Sequence, residues 1–188
     1  MGRSNCGKHS HYTREARNAG KSRYRGIETG LGVAITHAIR LDASWSVATP
    51  KYVDYVPQAA QPARGTTPAK AAIVYTGNLV EQMPRDLGNV MLSWTPSFLK
   101  GGRLAAEYTH TGRYAEDPAN THYYGGHDLL NLHASVQVAR RGELFGRLIN
   151  VTNRNYAELA AYDQFQGTQY NPGSPRSLFV GVRIGVGR

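Results

Sequence analysis

The sequence predicts an all-β fold: about seven antiparallel strands of a transmembrane β-barrel, forming one segment of a larger barrel. Three observations predict it. Seven stretches alternate two faces with a period of two. One face of most stretches is aliphatic, while the other carries polar or charged residues at mid-strand. The connections between stretches alternate strictly, short then long. Side chains along a strand point to opposite faces in turn, so such a pattern marks a sheet with one apolar and one polar side.

The elements follow in order. In 26–36, Ile27, Thr29, Leu31, Val33 and Ile35 oppose Glu28, Gly30, Gly32 and Ala34. In 40–49, Leu41, Ala43, Trp45 and Val47 oppose Arg40, Asp42, Ser44 and Ser46. In 89–95, Val90, Leu92 and Trp94 oppose Asn89, Met91, Ser93 and Thr95. In 103–111, Leu104, Ala106, Tyr108 and His110 oppose Arg103, Glu107, Thr109 and Thr111. In 129–139, Leu130, Leu132, Ala134, Val136 and Val138 oppose Asn131, His133, Ser135 and Gln137. The stretch 143–153 begins with Leu144, Gly146 and Leu148 on one face, and then Ile149, Asn150 and Val151 blur the period. The last, 177–187, sets Leu178, Val180, Val182, Ile184 and Val186 against Ser177, Phe179, Gly181, Arg183, Gly185 and Gly187. No segment holds a helical period, and no run of eighteen apolar residues suggests a membrane helix.

Alternation alone fits two settings. In a soluble β-sandwich that binds a ligand, the aliphatic face is the core. In a membrane barrel it meets lipid and the polar face lines a lumen. Connection lengths separate the two. Short connections lie at 36–39, 96–102 and 140–142, and long ones at 50–88, 112–128 and 154–176. Bacterial outer-membrane barrels have short periplasmic turns and long extracellular loops, whereas soluble domains rarely carry several loops beyond about 15 residues. The barrel is therefore expected, with 1–25 and the three long loops outside and Arg188 in the periplasm. Arg103, Glu107, His133, Gln137 and Arg183 should face the lumen. Single-chain bacterial barrels have an even strand count of eight or more. Seven strands leave two edges whose backbone groups lipid cannot satisfy. The expectation is thus a C-terminal part of a larger barrel, not a working transporter alone.

Four passages carry a resemblance. Asn18-Ala-Gly-Lys-Ser-Arg-Tyr-Arg-Gly-Ile-Glu28 resembles the entry to a late barrel strand of TonB-dependent outer-membrane receptors. Tyr75-Thr-Gly-Asn78, then Met83-Pro84-Arg85 and Asn89-Val-Met-Leu-Ser-Trp94, resembles that family's next loop-to-strand passage. Asn150-Val-Thr-Asn-Arg-Asn-Tyr156 is similar to its penultimate-strand motif, and Tyr170-Asn-Pro-Gly-Ser-Pro-Arg-Ser177 to the approach to its last strand. The motif residues carried over are Asn150, Asn153, Tyr156, Pro172, Gly173, Pro175 and Arg176. The resemblance implies a 22-stranded barrel in the bacterial outer membrane, of the ferric-siderophore receptor type. It further implies outer-membrane lipid and an iron chelate as partners. TonB would be engaged only through a plug domain, which these residues do not contain. Asn153 stands where Asp is commoner, and the C-terminal Val186-Gly187-Arg188 lacks the family's usual final aromatic.

Net charge is +9, and Arg3, Lys8, Arg14, Arg17, Lys21, Arg23 and Arg25 crowd the start against Glu15. Residues 1–25 read as a basic extracellular or non-native leader, and 26–188 as barrel strands. No strand face interleaves basic and aromatic residues as a nucleic-acid sheet would, so no nucleic-acid partner is expected. A lone Cys6 excludes an internal disulfide. His9 with His11, and His122 with His127, come nearest to a zinc spacing, without a completing ligand. No catalytic constellation, metal site or cofactor is expected. Many of the twelve tyrosines fall in the long loops. Trp45, Trp94 and Tyr108 have lipid-facing parity and suit an aromatic girdle. The loop residues Tyr114, Tyr123, Tyr124 and Tyr162 either join such a girdle or line a ligand vestibule.

Overall fold

The computed structural model describes residues 20–185. Along them run β1 (Lys21–Arg23), β2 (Gly26–Ala34), β3 (Ile39–Ala48), β4 (Lys51–Asp54), β5 (Asp86–Trp94), β6 (Arg103–Thr111) and β7 (Tyr114–Ala115). They continue with β8 (Tyr123–Tyr124), β9 (His127–Ala139), β10 (Gly142–Ile149), β11 (Ala157–Asp163), β12 (Gly167–Pro172) and β13 (Ser177–Ile184). Seven of these form one antiparallel sheet in the order β13-β10-β9-β6-β5-β3-β2. Each sheet strand therefore lies beside the next one in sequence, an up-and-down meander. The other six pair as ribbons within the long connections: β1 with β4, β7 with β8, and β11 with β12.

The seven expected stretches are the seven sheet strands. The stretch 103–111 matches β6 residue for residue. The stretch 143–153 runs too far, because β10 ends at Ile149. Asn150 and Asn153 both have φ of 51°, a left-handed conformation that breaks the pleat and that asparagine tolerates better than most residues. Of the last stretch, residues 186–188 lie outside the described residues, as do Cys6, His9, His11 and most of the basic leader.

Register explains why the alternation matters. Directly opposed residues of an antiparallel pair share one face. One row crosses all seven strands: Val33, Leu41, Leu92, Ala106, Leu132, Leu148 and Leu178. A row on the other face reads Ala34, Arg40, Ser93, Ala105, His133, Arg147 and Phe179. The aliphatic row has no covering layer among the described residues. Ile27 is 72% exposed, Leu178 69% and Ile184 71%. A sandwich would bury these residues against a second sheet, so the soluble β-sandwich alternative is corrected. A continuous apolar face of this extent marks a surface that meets an apolar partner, and it is the pattern of the outer face of a barrel wall. Within the described residues the sheet stays open, with β2 and β13 as its edges.

The aromatic residues mark the two ends of this face. Trp94 meets Phe98 edge-on at the short-turn end, ring centroids 5.7 Å apart. Trp45 and Tyr108 lie toward the long loops. Gly88 sits opposite Trp45 in the ladder, and a Cβ there would strike the indole ring. Glycine is thus needed for the tryptophan to lie flat on the wall.

Candidate functional site: lumen wall and interlocked loops

The inward face carries a hydrogen-bonded polar lining. Glu107 on β6 accepts from Asn89 Nδ2 at 2.8 Å and Asn131 Nδ2 at 3.2 Å, and lies 3.1 Å from His133 Nε2. Three strands are tied by this one carboxylate. Arg103 donates to Ser93 Oγ at 2.8 Å. Arg183 on β13 pairs with Glu143 on β10. Arg40 pairs with Asp42 two residues along the same strand, at 2.6 Å. Arg103, Glu107, His133 and Arg183, expected on the lumen side, line one recess of about 420 Å³ with Met91 and Phe145. Such a surface suits water and polar solutes, and would be costly in lipid.

The long connections pack on one another. Loop 49–85 meets loop 112–126 through Asn120, which accepts from Leu79 N at 2.7 Å and donates to Leu79 O at 2.9 Å. Asn78 Nδ2 donates to Pro118 O at 2.8 Å, and Gln82 N to Ala115 O at 2.8 Å. Asp117 holds the 117–122 turn by accepting from Thr121 N, Thr121 Oγ1 and His122 N at 2.8–3.0 Å. On its other side, loop 112–126 meets loop 150–176. Tyr162 N donates to Glu116 O at 3.0 Å, and Thr168 Oγ1 to Glu116 Oε2 at 3.2 Å.

Two of the four singled-out tyrosines hold these loops together. Tyr114 is 3% exposed, and its hydroxyl accepts from Ala160 N at 2.7 Å. Burial pushes its phenol pKa up. The Tyr124 hydroxyl accepts from Ala157 N at 3.1 Å. Tyr114, Ala157 and Ala160 form a buried cluster with Tyr124 packed against it. The other two are more open. Tyr123 lies under the Arg113 guanidinium, 4.0 Å from ring to cation. Tyr162 stacks on His122, centroids 3.4 Å apart. In loop 49–85, the Tyr52 hydroxyl donates to Glu81 Oε2 at 2.5 Å, and burial first, then this acceptor, push its pKa well up.

The two C-terminal motifs close on each other at the root of loop 150–176. Asn150 is fully buried. Its amide donates to Arg154 O at 2.9 Å and Ser174 O at 3.1 Å, while its carbonyl accepts from Arg154 N at 2.9 Å. Its own backbone N–H donates to Asn131 Oδ1 at 2.9 Å. Asn153 Oδ1 accepts from Arg176 N at 3.0 Å. Tyr156 lies over Gly173, where any Cβ would strike the ring, and Gly173 N donates to Tyr156 O at 2.9 Å. Pro172 closes β12, and Pro175 accepts from the Ser177 hydroxyl as β13 begins. Sequence reasoning missed all three ribbons, β1–β4, β7–β8 and β11–β12. The last carried a signal in Asp163 and Gly167, turn residues between alternating runs.

An apolar outer row, a polar inner lining and long connections at one end define the wall of an outer-membrane-type β-barrel. The sequence model of the TonB dependent receptor-like β-barrel family matches residues 3–153. The chain belongs to this family, whose members are transport receptors of the outer membrane. The fold is similar to the siderophore receptor PiuA from Acinetobacter baumannii, at TM-score 0.66 and 17% identity over 87% of this chain and 22% of that one. It is similar also to the ferric yersiniabactin uptake receptor FyuA from Yersinia pestis, at TM-score 0.68 and 16% identity over 89% of this chain and 24% of that one. The ferric preacinetobactin receptor BauA from Acinetobacter baumannii gives TM-score 0.64 and 19% identity, over 88% and 22%. The chain thus spans less than a quarter of the length of each receptor. No curated protein sequence matches it.

Proposed function

We propose that this chain supplies wall and loops to a bacterial outer-membrane receptor for energised uptake of a ferric siderophore or similar metal chelate. The observation that carries the reading is the opposition of a lipid-suited row and a hydrogen-bonded inner lining beneath an interlocked loop layer. The fold likeness to siderophore receptors and the family match support it. In this reading the outer row meets outer-membrane lipid and the loops meet the chelate. Tyr123 and Tyr162 present rings to the ligand, and Tyr114 and Tyr124 brace the vestibule behind them. Energy coupling to TonB runs through a plug domain, whereas the described residues supply wall and loops. Lys21–Arg23, near the end of the basic 1–25 leader, pair with β4 in the first long loop, which favours an extracellular over a non-native leader.

The test uses the full-length gene product in cells stripped of their other iron receptors. Growth under iron limitation is measured with a panel of hydroxamate, catecholate and mixed ferric siderophores. At least one should restore growth, and Tyr123→Ala with Tyr162→Ala should weaken its binding severalfold at unchanged receptor yield. Absence of binding and uptake for every chelate in the panel would reject the reading.

A further inference from the structure

His110 stands where the three long connections are rooted. It is the penultimate residue of β6, just before 112–126 leaves the sheet. Its Nδ1 lies 2.6 Å from Asp128 Oδ1, and its Nε2 lies 2.7 Å from Asp86 Oδ2. Asp86 opens β5, where 49–85 returns to the sheet. Asp128 is the second residue of β9, where 112–126 returns. Arg154, from loop 150–176, reaches Asp128 at 3.5 Å, and the Tyr108 hydroxyl donates to it at 2.7 Å. Trp45 stacks on the imidazole with centroids 5.2 Å apart and planes 15° from parallel.

The proton count of this cluster follows from its geometry. An ionised carboxylate only accepts hydrogen bonds, and a neutral imidazole has one N–H and one lone pair. Between two carboxylates, a neutral ring would aim its lone pair at an oxygen lone pair. An imidazolium donates to both. Moving that proton onto one carboxyl group leaves the number of protons in the cluster unchanged. We propose that His110, as an imidazolium, is a positioning residue that pins the roots of the long loops, and that loss of its extra proton as pH rises loosens those roots together. The titratable and charged groups around it are Asp86 from β5, Asp128 and the adjacent His127 from β9, Tyr108 from β6 and Arg154 from 150–176. Trp45 from β3 adds no charge. Once the proton leaves, one bond is lost and two carboxylates flank a neutral ring.

The experiment is hydrogen exchange on the full-length gene product in lipid nanodiscs at pH 6 and pH 9, corrected for the intrinsic rate. It reads loop order and is independent of any ligand. In the wild type, amide protection over 84–90, 110–116 and 126–130 should fall about tenfold at the higher pH, the scale of one lost charged hydrogen bond. His110→Arg keeps a cation with several donors and should hold protection high at both values. His110→Gln should be poorly protected at both. In the wild type at pH 6, nitrogen NMR should show both ring nitrogens of His110 protonated. Protection in the wild type that does not change with pH would overturn the proposal. So would an unchanged pH response in His110→Gln, or an unprotonated ring nitrogen at pH 6.

Discussion

The sheet and the loop layer are held by opposite means. The sheet has a full backbone ladder, yet its aliphatic row has no covering layer among the described residues. The loop layer has little ladder, yet it contains fully buried residues such as Pro50, Ala115, Asn150 and Ala160, with Tyr114 nearly so. Its bonds run mainly from side chains to backbone groups of a neighbouring loop. Long loops are ordinarily the least protected parts of a fold. Here they resemble a small core, while the strands depend on their surrounding solvent. In the proposed reading lipid covers the first region, while buried hydrogen bonds stabilise the second.

The sharpest way to break that contrast is to put a charge into the outer row. Leu132→Arg, in the middle of the seven-strand row, should destabilise the barrel by about 2–4 kcal/mol. Gln137→Arg on the inner face should cost less than about 0.5 kcal/mol. Denaturant unfolding from lipid vesicles measures both, and equal losses would reverse the assignment of faces. Next in size is Asn150→Ala. It removes the partner of two backbone carbonyls and one N–H and empties a fully buried site, for about 2–3 kcal/mol. Protease cleavage within 150–176 should speed up while protection of the sheet stays as it was. Loss of the sheet together with the loop would show the two regions to be one unit.

Tyr114→Phe is milder. It removes the acceptor from a buried Ala160 N–H and should cost about 1–2 kcal/mol, read as faster exchange at Ala160 itself. The smallest effect concerns pH. Tyr52 is nearly buried and its phenol pKa is raised by burial and by Glu81. Its stabilising contribution is therefore complete below the unfolded tyrosine value of about 10 and is lost as pH rises above it, where the unfolded chain ionises first. Proteolysis of 49–85 should accelerate between about pH 10 and 11, and Tyr52→Phe should flatten that rise. An unchanged profile in the variant would place the titration elsewhere in the loop.

The sheet was legible because a period of two survives any burial partner, lipid included. Leu130, Leu132, Ala134 and Val136 show it in sequence and again in the register. The end of β10 was not legible, since Ile149, Asn150 and Val151 blur the period without marking where the strand stops. Only the left-handed backbone at Asn150 ends the strand. The support given by Tyr114 and Tyr124 was hidden for another reason. Their partners are backbone N–H groups of Ala157 and Ala160, which no side-chain pattern announces. The stack of Trp45 and His110 on either side of Gly88 likewise becomes visible only when three strands are in register.

The placement of loop 112–126 has a consequence for modularity. It grips Leu79 on one side through Asn120, and Tyr162 and Thr168 on the other through Glu116. It is a keystone, so a single loop cannot be exchanged between receptors without stripping its neighbours of their partners. Variation is instead channelled to two free tips, the 64–67 turn of the first loop and the 163–167 turn of the last. Grafted epitopes, inserted peptides and natural sequence drift should all be accepted there and refused at the keystone.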